Sequence, residues 1–138
     1  MTTRSERAEG SRDSEVRCVE IVFPDHCNHL GGLFGGQALA WMDKAAFLAA
    51  SRFAGRTVVT ARSDRIDFRA AVKLGDIVEL VATVVGVGRS SMTVRVSLSR
   101  EATPGAAQQL ATSGEFVMVA VDAAGNAVPV GRALAAAG

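Results

Sequence analysis

Apolar residues along this chain recur with two different periods, and the change between them divides it. Between residues 34 and 53, Leu39, Met42, Ala46, Phe47, Ala49, Ala50 and Phe53 fall at helical spacing. A second set, Phe34, Ala38, Trp41, Ala45 and Leu48, fills most of the opposite side. Such a helix is apolar nearly all round and is expected to be enclosed. Gly55 follows as its C′ glycine. Beyond it the period drops to two, and residues 57–68, 76–87, 90–100 and 109–121 read as strands rich in Val, Thr and Ile. The cleanest alternation sets Met92, Val94, Val96 and Leu98 against Ser91, Thr93, Arg95, Ser97 and Ser99, one packed face and one wet face. A short strand over residues 16–23 precedes the helix and stops at Pro24.

One strand, one long helix and four mainly antiparallel strands make an α+β layout in which a five-stranded sheet wraps the helix. The edges of such a sheet cannot close on themselves, so a second copy is expected to cover one, giving at least a dimer. The domain is expected over residues 16–129, with a disordered leader over 1–15 and a flexible Ala/Gly-rich tail over 130–138.

Composition then narrows the partners. The 138 residues carry a formal net charge of +1 and are 49% hydrophobic, which fits one compact core and makes no electrostatic case for nucleic acid or an acidic membrane. Apolar runs such as residues 116–121 are far too short to span a bilayer, so no membrane partner is expected. The charged N-terminus lacks the apolar core of a secretory signal, and the two cysteines, Cys18 and Cys27, do not suggest a disulfide framework. The expected compartment is the cytoplasm.

Candidate chemistry centres on Asp43. A carboxylate inside an apolar helix costs several kcal/mol unless it is paired or hydrogen-bonded. It can act as a general base or attack a carbonyl; the plainer alternative is an ion pair at a subunit contact. Gly35 and Gly36 lie at the positive end of the helix dipole, where a backbone N–H can approach a carbonyl oxygen closely, or they simply form a tight loop. Asn28 can orient water or substrate, or cap its own turn. Arg89 follows a glycine turn and precedes Ser90 and Ser91, a fitting place for a phosphate or for a solvated turn arginine. His26, Cys27 and His29 on one short loop make a poor metal site, no Gly-x-Ser-x-Gly elbow exists, and no dinucleotide or Walker loop is present. No metal and no cofactor are expected.

The ordered string Pro24-x-x-x-Asn28-x-x-Gly31-x-x-Phe34-Gly35-Gly36, then Trp41-Met42-Asp43, Val59-Thr60, Ile66-x-Phe68, Gly75-Asp76 and Gly88-Arg89-Ser90-Ser91-Met92 resembles the hotdog-fold acyl-CoA thioesterases of the cytosolic acyl-CoA hydrolase type. The resemblance covers residues 19–121. It implies a hotdog fold, hydrolysis of acyl-CoA thioesters, and active-site roles for Asp43 and Asn28 with a backbone N–H near Gly36. It implies that CoA is held by Arg89, Ser90 and Ser91, with Gly35 and Thr60 also facing substrate, in a homo-oligomer such as a trimer of dimers. Ala71 departs from it, standing where the family often carries proline. Two other readings of the same fold are a hotdog dehydratase or hydratase, which would pair its carboxylate with a histidine that this helix lacks, and a non-catalytic acyl-CoA-binding or regulatory module. From helix length, Asp43 lies roughly 13 Å from the helix start at 1.5 Å per residue. The site is therefore expected to straddle two chains, with Asn28 and Gly36 of one facing Asp43 of the other.

Overall fold

The computed structural model describes residues 14–135. Strand β1 (Glu15–Ile21) leads through a 3-10 turn (Pro24–His26) into helix α1 (Gly35–Ala54). Four strands follow: β2 (Val58–Phe68), β3 (Ile77–Val87), β4 (Ser91–Glu101) and β5 (Gln109–Ala120). They form one sheet in the order β1-β3-β4-β5-β2, every neighbour antiparallel. The chain thus leaves one edge of the sheet, runs through α1 against its inner face, and re-enters at the other edge. This is the α+β layout that the periodicity anticipates and the hotdog arrangement that the family resemblance implies.

Register explains the core. On the inner face Leu80 stands beside Leu98 and Thr112, Ala82 beside Val96 and Gly114, and Val84 beside Val94 and Phe116. These rows are buried, and α1 meets them with Ala38, Trp41, Met42, Ala45, Ala46, Ala49, Ala50 and Phe53. Gly55 ends the helix in the left-handed region at φ 66°, its N–H donating to Ser51 O at 2.8 Å.

Three expectations need correction. Enclosure of α1 holds on one side only: Gly36, Ala40, Lys44 and Phe47 are exposed in the single chain. Alanines on both sides of a helix count as apolar in a pattern, while only the side facing the sheet is covered. The leader expected over 1–15 falls outside the described residues except for its last two, and Glu15 already pairs with Thr83 in β1. The tail expected to be free from residue 130 is tied down at its start: Val130 is buried and donates its N–H to Arg89 O at 2.8 Å. Residues 136–138 lie outside the description.

A buried ion pair locks the entry to β3. Asp76, 3% exposed, accepts from Arg100 Nε at 2.6 Å, from Arg100 Nη2 at 3.2 Å and from the Lys73 N–H at 2.8 Å. Burial opposes the Asp76 charge, but the Arg100 hydrogen bonds, the Lys73 N–H and the two cations outweigh it and hold the carboxyl below its ordinary range. The hydrogen bond to Asp76 holds the Arg100 guanidinium above its own.

Candidate active site

Asp43 sits two turns into α1, half-buried, on the helix face that the sheet leaves open. Thr60 reaches it from β2, its hydroxyl donating to Asp43 Oδ1 at 2.7 Å. Oδ2 has no partner among the described residues, and Asp43 lines a cavity of about 320 Å³ together with Gly36, Leu39, Thr60, Ser63 and Phe116, among others. Gly36 joins Asp43 there because positions seven apart share a helix face.

Thr60 and Ser63 are three residues apart, and regular alternation would send them to opposite faces. A bulge between Thr60 and Arg62, where register passes from Met118 directly to Val117, carries one extra residue and turns Ser63 back toward the helix. A second irregularity lies between Asp64 and Asp67, where Arg65 has φ 55° and Ile66 leans across Gly114.

The start of α1 is uncapped by any side chain, and Ala38 is the first residue whose N–H meets a carbonyl four back, that of Phe34 at 3.0 Å. The N–H groups of Gly35 and Gly36 therefore have no partner among the described residues, at the positive helix end. Gly35 lines a second cavity, about 340 Å³, with Leu33, Ala38, Phe68, Val72 and Thr112 on its walls and the Phe68 ring against Gly35. Phe68 lines this cavity, whereas Trp41 is buried in the core and Phe47 is exposed.

Asn28 stands apart from both cavities. Its Oδ1 accepts from the Leu30 and Gly32 N–H groups at 2.9 and 3.1 Å, so the side-chain carbonyl caps its own turn. Its NH2 group, with two donors, has no partner among the described residues. His26 is structural: Nδ1 accepts the Phe23 N–H at 3.0 Å, and its ring meets Trp41 edge-on at 5.0 Å. Cys27 Sγ lies 3.6 Å from Phe23 O.

Gly88, Arg89 and Ser90 form the turn between β3 and β4, and Ser91 opens β4. Ser91 pairs with Val119 and Val119 with Val59, which sets this turn two strand spacings, about 10 Å, across β5 from Thr60. Arg89 is exposed and has no ion pair among the described residues, whereas Arg62 and Arg69 lie 3.7 and 3.5 Å from Asp64 and Asp67. One chain thus gathers Asp43, Thr60 and Gly36, and leaves Asn28, Gly35 and the Arg89 turn elsewhere. Ser63 and Phe116 were missed by sequence reasoning, since neither a bulge nor a row across the sheet leaves a local signal. Among the described residues there is no cluster suited to a metal ion, and no helix is long and apolar enough to cross a membrane.

Comparison with known proteins gives a consistent picture. Residues 30–107 match the family model of the thioesterase superfamily. The chain is 36% identical over 121 residues to a Bacillus subtilis protein named as an uncharacterized acyl-CoA thioester hydrolase, covering 88% of this chain and 70% of that one. A hexameric acyl-CoA thioesterase crystallised in its apo form superposes with a TM-score of 0.82 at 37% identity, over 86% of this chain and 76% of that one. A Staphylococcus aureus acyl-CoA hydrolase, solved with butyryl coenzyme A and coenzyme A, superposes with a TM-score of 0.81 at 34% identity, over 86% and 72%.

Proposed function

Because the chain belongs to the thioesterase superfamily, we propose that it hydrolyses acyl-CoA thioesters to free CoA and a carboxylic acid, with Asp43 as the catalytic carboxylate. The observation that carries this reading is the Thr60 hydroxyl on Asp43 Oδ1 at 2.7 Å. A donor on one oxygen fixes the carboxylate and leaves Oδ2 free toward the cavity. Oδ2 then takes a proton from water as the water oxygen bonds to the thioester carbon, or it attacks that carbon itself. On the first route the C–S bond breaks on collapse and the proton passes to the leaving thiolate; on the second the thiolate leaves first, and water then hydrolyses the acyl–Asp43 anhydride, restoring the carboxylate, releasing the acid and supplying the thiol proton.

Negative charge on the carbonyl oxygen calls for donors within about 3 Å. The open Gly35 and Gly36 N–H groups and the Asn28 NH2 supply them; Asn28 works as a donor because its carbonyl is engaged in its own loop. Within one chain, however, Gly36 and Asp43 are separated by seven residues of helix, roughly 10 Å of rise. One carbonyl cannot be served by both. The site is therefore completed by a second chain, Asp43 of one facing Asn28 and the glycines of the other, in a homodimer or a trimer of dimers. CoA lies along the β3–β4 turn with Arg89, Ser90 and Ser91 on its nucleotide end, and the compartment is the cytoplasm.

A non-catalytic acyl-CoA-binding module has no need of a carboxylate presented in this way. The two readings separate in an acyl-CoA hydrolysis assay that follows released thiol. Wild-type chain turns substrate over, and Asp43→Asn, nearly isosteric, lowers kcat by on the order of 10²–10⁴ with the fold and oligomer intact. Wild-type-like turnover in this variant would remove Asp43 from the chemistry.

A further inference from the structure

The β3–β4 turn is held from outside its own hairpin. Within it, the Gly88 N–H donates to Ser91 O at 2.8 Å. From β5, the Ala120 N–H donates to Ser90 O at 2.8 Å. The remaining anchor comes from the segment after β5: the Val130 N–H reaches Arg89 O, also at 2.8 Å. Val130 is 2% exposed, so this contact is shielded from water. Gly131, at φ 84°, then redirects the chain, a conformation glycine adopts without strain. Arg132 lands on the end of α1, its guanidinium 4.3 Å from the Phe53 ring centroid and Nη1 donating to Phe53 O at 3.2 Å. Upstream, the Val128 N–H pairs with Ala120 O at 2.9 Å.

We propose that residues 128–132 are a strap that positions the Arg89 turn for the nucleotide end of CoA, with Val130 as the positioning residue and Arg132 fastening the strap to the helix that carries Asp43. The proposal rests on the reading of Arg89 as a CoA contact. Without the strap the Arg89 peptide loses its only backbone anchor among the described residues, and its side chain spreads over more orientations. Binding then pays an ordering cost that the strap has already met in the free enzyme. Substrates without a nucleotide do not feel the loss.

The test uses full-length variants and two substrates, an acyl-CoA and a short acyl-pantetheine thioester. Val130→Pro removes the N–H and keeps apolar bulk; it should raise KM for acyl-CoA about three- to tenfold, the range of one net backbone hydrogen bond, with kcat and the pantetheine reaction unchanged. Arg132→Ala, which leaves the Val130 backbone intact, should move KM in the same direction by less and serves if the proline variant does not fold. Arg89→Ala should show the same split, and Val130→Pro should add nothing to it. Equal losses on both substrates, or a normal KM in both strap variants while Arg89→Ala shows the split, overturn the strap. Absence of a split in Arg89→Ala itself instead removes the reading on which the strap depends.

Discussion

Replacing Asp76 with asparagine tests the shortest ion pair among the described residues. The side chain keeps its shape but loses the charge that faces Arg100, whose side chain is only 17% exposed and so little screened. Removing one partner of a buried pair costs 3–5 kcal/mol, and because Arg100 keeps a hydrogen bond to Gln109 Oε1 at 3.1 Å the lower end applies, about 3 kcal/mol. With a urea m-value of about 2 kcal/mol/M, the midpoint at pH 7 should fall by roughly 1.5 M, measured at one fixed protomer concentration. The loss should depend on pH in a defined direction. Asp76 holds its proton less tightly in the folded chain than in the unfolded one, so its contribution is complete above the unfolded value of about 3.9 and disappears as pH falls through the folded value. In that acid range the wild type carries a protonated Asp76 beside Arg100, much as the variant carries an amide, and the two midpoints should converge. A shift below about 0.3 M at pH 7, or one that persists unchanged into acid, would refute the argument.

Thr60→Val removes the donor on Asp43 and keeps its shape; kcat should fall about tenfold, the worth of one hydrogen bond to a charged group, with little change in KM, and an unchanged kcat would show that the contact is idle. Gly114→Ala sets a Cβ against Ile66 Cδ1, so the Ile66 side chain must turn or β2 must shift around it; thermal unfolding should register a loss of about 1–3 kcal/mol, and a neutral result would mean that Ile66 swings aside freely. Mixing Asn28→Ala chains with Asp43→Asn chains under subunit exchange should restore about a quarter of wild-type activity, because half of the random dimers are mixed and each holds one intact site. No recovery despite proven exchange would place the whole site in one chain.

The strands were the most legible part of the chain, and β4 shows why: one face is buried at Met92, Val94, Val96 and Leu98, so burial and period agree. In β2 they do not, since every residue after Val58 except Ile66 is exposed and two irregularities break the alternation. Asp43 could be found because a carboxylate among alanines is conspicuous. Its partner Thr60 could not be assigned that role, because a contact across 17 positions leaves no local pattern. Asn28 carried two readings, and the structure gives its Oδ1 to the turn, while its NH2 has no partner among the described residues. The strap was hidden by composition: among alanines and glycines, Val130 and Arg132 are too few to make a period.

The alanines under the helix also act as a ruler. Ala38, Ala45, Ala46, Ala49 and Ala50 meet the sheet with single methyl groups beside the larger Trp41, Met42 and Phe53, so along this row the helix backbone rests close to the sheet. Asp43, on the far side of that helix, inherits its reach to Thr60 from this spacing. A larger residue at any of these positions would lift the helix and stretch a 2.7 Å contact, and displacement of about 1 Å in a reacting group can cost on the order of a hundredfold in rate. The distance on which the proposed chemistry depends is thus written in the smallest side chains of the helix.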